Sequence, residues 1–124
     1  MSWRHKKAQR RPHPDPGVEL QLQKIIGLQQ RITAKEDLAL DYRDEIEALH
    51  GKIRGLADVA TAYGTGIARA DECNNQIAGH REHIRELQQA MRDLDTDVDG
   101  IHDTITTLQE KLNPEDLAFL GETP

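Results

Sequence analysis

Carboxylates, imidazoles and one thiol are the side chains whose spacing invites a chemical reading. Asp95, Asp97, Asp99 and Asp103, with Gly100, occupy positions one, three, five, nine and six of a twelve-residue calcium loop. Position twelve, where such a loop needs a bidentate glutamate, is Thr106, and position eight, usually apolar, is His102. Val98, Ile101 and Ile105 meanwhile keep a helical spacing that a calcium loop would interrupt. The stretch therefore reads as a solvated acidic helix face, with calcium binding as the alternative. His80, His83 and Cys73 have the donor atoms zinc accepts, but their spacing fits no metal site. His80 reads better as a neutral histidine inside a helical seam. Gly64-Thr65-Gly66 lacks the rest of a phosphate-binding fingerprint, and no strand is evident before it. No Ser/His/Asp or Cys/His arrangement has a pocket to work in. The expectation is no enzyme, no metal centre and no cofactor.

The elements that hold these residues are legible from heptad spacing. One apolar column runs Val18, Ile25, Ile32, Ala39, Ile46, Ile53, Ala60. A second, three residues on, runs Leu28, Lys35, Tyr42, Leu49, Leu56, Tyr63, with Gln21 and Lys35 as its polar exceptions. Beyond the glycines the pattern resumes with Ala70, Ile77, Ile84, Met91, Val98, Ile105, Leu112 and with Cys73, His80, Leu87, Leu94, Ile101, Leu108. Two columns three and four residues apart, kept over about six heptads, specify a coiled-coil seam. No proline falls between Pro16 and Pro114 to forbid helix. The order of the columns shifts by three residues near the glycines. A loop absorbs that shift, whereas an unbroken rod needs an irregularity there.

The fold expected is all-α: a long antiparallel helical hairpin over residues 15–112, with its loop near 64–69. The alternative is one continuous helix in an oligomeric coiled-coil rod. The hairpin pairs Ile25 with Leu108, Ile46 with Leu87 and Leu49 with Ile84. It sets Tyr63 on Ala70 and brings Lys35 to Val98, with Asp97 and Asp99 beside it for the ammonium. Asp15 and Pro16 suit the cap and first turn of the first helix. Asn113, Pro114 and the acids that follow begin a short helix over 113–124 that Gly121 stops. Leu112 and Leu117 stand at the spacing of a hydrophobic staple.

Charge is uneven. Net charge is -6 over 124 residues, but residues 1–16 carry five cations against Asp15, and residues 93–124 set Lys111 against nine acids. A basic extended tail, residues 1–14, thus precedes a helical body with an acidic end. The tail either binds nucleic-acid phosphates or docks into an acidic groove through Trp3, Arg4, Lys6, Lys7, Arg10 and Arg11. Leu22, Ile26, Leu38, Leu40 and Val59 lie off the seam and widen the apolar face of the first helix. Together with the Leu117, Phe119 and Leu120 knob, they predict contact with a copy of the chain or a larger partner.

The single cysteine excludes an internal disulfide framework. No apolar run reaches membrane-spanning length, and the first residues lack the apolar core of a signal peptide. These features lead us to expect no membrane partner, no small-molecule substrate and a place in the cytoplasm or inside an assembled particle. In general character the chain resembles small coiled-coil structural proteins of phage particles. The function expected is a non-enzymatic structural or assembly component of a larger complex. The alternative is a nucleic-acid-binding protein whose basic arm does the work and whose helices only oligomerise it.

Overall fold

The structure, a computed structural model, describes residues 15–64 and 66–121. Three helices account for nearly all of them: α1, Pro16–Tyr63; α2, Ala68–Glu110; and α3, Pro114–Gly121. The described residues contain no strand. Helix α1 starts where Asp15 accepts the Glu19 amide N–H on its carbonyl at 2.7 Å, which places Asp15 at the cap and Pro16 in the first turn. Proline costs nothing there, because that N–H has no intrahelical partner anyway.

Helix α1 ends on Gly64, whose N–H donates to the Ala60 carbonyl at 3.0 Å with φ at +85°. This is the left-handed closure that satisfies an orphan carbonyl and suits glycine best. Gly66 also has positive φ, +80°. The chain re-enters helix at once, with Ile67 accepting the Asp71 N–H at 2.9 Å. The connection therefore spans 64–67, shorter than the 64–69 expected. Ile67 offers no side-chain cap to announce the start, whereas Ala68 and Arg69 are good helix formers and join the first turn.

The described residues fall into two compact units, one holding Ala34–Val98 and the other residues 15–33 with 99–121. Within the first, α1 and α2 pack antiparallel. Leu49, Ile84 and Leu87 form its buried centre, with Tyr42, Ile46 and Ile53 against them. Lys35 reaches Asp97 at 3.4 Å across 62 residues of sequence, and Glu45 reaches His83 at 3.2 Å. A continuous rod would hold these residues far apart in one chain, so the reversal is real and the rod is excluded. A part-exposed ion pair such as Lys35–Asp97 contributes about 0–1 kcal/mol and fixes register more than stability. Ala70 and Cys73 are buried next to the turn. Tyr63, the residue expected against Ala70, is 55% exposed, and Ala57, Ala60 and Ala70 line a hollow near the turn.

In the second unit, Leu22, Ile25, Ile32, Ile101 and Ile105 are buried. Gln21 sits on the seam with its side-chain oxygen buried and without a hydrogen-bond partner among the described residues. An orphan of that kind costs about 1–3 kcal/mol. Helix α2 closes with two tighter bonds, Lys111 N–H to Leu108 O and Leu112 N–H to Gln109 O. Asn113 then accepts the Leu117 N–H at 3.0 Å and opens α3. Asp116 is buried in its first turn, where the helix dipole favours a carboxylate.

Backbone and space make opposite demands at two glycines. A Cβ at either Gly66 or Gly79 meets nothing within 4 Å, but only Gly66 has positive φ. Gly66→Ala is expected to destabilise by about 1 kcal/mol and Gly79→Ala to stabilise by a similar amount. Urea unfolding followed at 222 nm measures both, and equal signs would contradict this turn.

Candidate interaction site

Among the described residues, the groups with catalytic or metal-binding potential are spread along the two long helices. Among the described residues no three His, Cys, Asp or Glu side chains come together as a metal-holding group. Cys73 is wholly buried in the seam, His80 is half-buried there, and His83 faces Glu45. The stretch from Asp95 to Asp103 is helical throughout, and its four aspartates are exposed. A calcium loop needs those oxygens to turn inward around one point, which a straight helix prevents. Thr96, Thr104 and Thr107 donate their hydroxyls to the carbonyls of Arg92, Gly100 and Asp103, which ties them into the helix.

What the structure presents instead is apolar surface outside the seam. In the unit holding Ala34–Val98, Leu38 and Leu40 are 39% and 48% exposed. Acids surround them: Glu36, Asp37, Asp41, Asp44, Glu45 and Glu47, against Arg43. At the turn, Tyr63 and Ile67 are also exposed. Val59 is half-buried.

In the other unit the expected contact residues divide. Leu22 is buried in the core at 5% exposure, so it is a packing residue and not part of an open face. Ile26 is half-buried, as are Leu117 and Phe119 of α3, while the Leu120 side chain lies outside the described residues. Leu20, two positions before Leu22, is the residue left out, at 55% exposure. Heptad counting separates seam from non-seam positions. It does not say which edge of the seam another segment covers.

The same unit has a shallow apolar groove of about 430 Å³, lined by Lys24, Gly27, Leu28 and Arg31 from α1 and by Thr104 and Leu108 from α2. Leu28 and Leu108 are seam residues left half-exposed, and Lys24 and Arg31 stand on the rim. The cations were hard to single out in the sequence because neither belongs to a run of charge. Trp3, Arg4, Lys6, Lys7, Arg10 and Arg11 all lie outside the described residues.

No described helix is long and apolar enough to cross a membrane. No protein-family model, curated protein or solved structure matches this chain. Residue chemistry and packing are therefore the whole basis for a functional reading.

If the aspartates serve only as a solvated helix face, calcium has no site to order. Ellipticity at 222 nm and the thermal midpoint are expected to stay the same in millimolar calcium and in chelator. A calcium-dependent gain of either would restore the calcium reading of Asp95–Asp103.

Proposed function

We propose that this chain is a non-enzymatic coiled-coil component that self-associates and serves as a structural part of a larger assembly, of the kind found in phage particles. One observation carries the reading. The paired helices satisfy their seam, yet α1 keeps Leu38 and Leu40 substantially exposed. Exposed leucines on an otherwise charged helix cost solubility without stabilising the monomer, which favours their burial by another chain. Each is already partly covered, so covering the remainder stabilises by about 1 kcal/mol. The scattered donors and the shallow hollows support the same reading, since catalysis and cofactor binding need convergent groups in an enclosed site.

A second reading rests on a different observation, the net charge of +4 on residues 1–16. There the basic arm grips nucleic-acid phosphates and the helices supply only oligomerisation. The overall charge of -6 opposes it, because the acidic body repels the same phosphates.

Two experiments separate these readings. Sedimentation equilibrium is expected to give a mass above that of one chain, and Leu38→Glu with Leu40→Glu is expected to return it to one chain with helicity intact. A native chain that stays monomeric at high concentration would sink the assembly reading. Under the second reading, affinity for double-stranded DNA or RNA falls steeply with salt and disappears on removal of residues 1–14. The assembly reading expects no such loss.

A further inference from the structure

Building on the self-association reading, we propose that the groove between Lys24 and Arg31 receives the Leu38 ridge of a second copy, with the two α1 segments antiparallel. In this arrangement Lys24 faces Asp41, Leu38 seats over Gly27, and Arg31 lies against Ala34.

The groove asks for an apolar ridge edged with negative charge. Its floor is Leu28 and Leu108, and its rim carries two exposed cations. Residues 24–31 contain Lys24 and Arg31 and no acid. Neither cation has an ion-pair partner among the described residues. Gly27 widens the opening, since a Cβ there would meet nothing within 4 Å.

The other unit supplies a segment of that description. Leu38 is 39% exposed and is followed three residues later by Asp41 and preceded four residues earlier by Ala34. Residues 36–47 hold six acids against Arg43. Of these acids, Glu45 is engaged with His83, while Asp37, Asp41 and Asp44 have no ion pair among the described residues.

For a ridge centred on Leu38, spacing selects the direction. Lys24, Gly27 and Arg31 step by three and four, and Asp41, Leu38 and Ala34 step back by three and four. Run antiparallel, all three rows stay level, with Leu38 over Gly27 and Lys24 opposite Asp41. Run parallel, the middle row slips by one residue and Leu38 misses Gly27. Interleaving large on small at this period is how helices pack closely.

Other occupants from the same chain fit less well. The tail of residues 1–14 is cationic and is repelled by Lys24 and Arg31. Helix α3 has Asp116 buried and Leu117 and Phe119 half-buried already in its own unit.

Two measurements test the docking. In the first, chains carrying Gly27→Cys are mixed with chains carrying Leu38→Cys and oxidised. A disulfide-linked heterodimer is expected in the mixture and not in either chain alone; Cys73, wholly buried, does not compete. In the second, Lys24→Glu is expected to weaken self-association by about tenfold, and adding Asp41→Lys to the same chain is expected to restore it. An oligomer that neither links through these cysteines nor responds to Lys24→Glu overturns this docking and leaves self-association standing. A native chain that is monomeric at every concentration removes both.

Discussion

Aliphatic side chains from two stretches far apart in sequence must meet along one line, and everything else in this molecule follows from that. Isoleucines and leucines every three and four residues give each helix a single apolar stripe. Neither stripe is wide enough to sustain a helix of 48 or 43 residues alone in water, because helical order needs tertiary burial to offset its entropy cost. The stripes find each other only if the chain reverses. Gly64 and Gly66 permit the reversal at low cost, since their positive φ is the conformation other residues resist. The cross-helix contacts Lys35–Asp97 and Glu45–His83 then add little energy but discriminate against slipped pairings.

A seam of this kind uses up most of the apolar surface, and what remains outside it is informative. Helix α2 is polar off its seam, with most of those positions exposed. Helix α1 is different: Leu20, Leu38 and Leu40 are exposed, while Leu22 and Ile26 are partly or fully covered. The asymmetry puts most of the exposed large aliphatic side chains on α1. Its charges are also segregated, with cations around the Gly27 groove and acids around Leu38.

Local signals in the sequence were sufficient for much of this. Asp15 and Asn113 each mark a helix start because the cap and first turn involve only near neighbours. The seam residues are buried or half-buried almost without exception, because the heptad repeat alone determines which face they share. Lys35 meets Asp97 as the pairing of columns implies. Three features were not legible, and each depends on something non-local. Leu22 is buried by packing that a count along one helix does not describe. Tyr63, the last residue of α1, is exposed although it holds a seam position. The Lys24–Arg31 groove exists because Leu28 and Leu108 are left uncovered on one edge, which no spacing rule in either helix states.

Cys73 has zero exposure and sits five residues inside α2, close to where the chain reverses. Its sulfur is a small apolar filler in the seam as long as the helices remain zipped. A reagent in solvent reaches it only when this end of the pair parts. The speed of its alkylation is therefore a native clock for the opening of the turn, built into a chain whose aromatic content of 3% offers few other reporters.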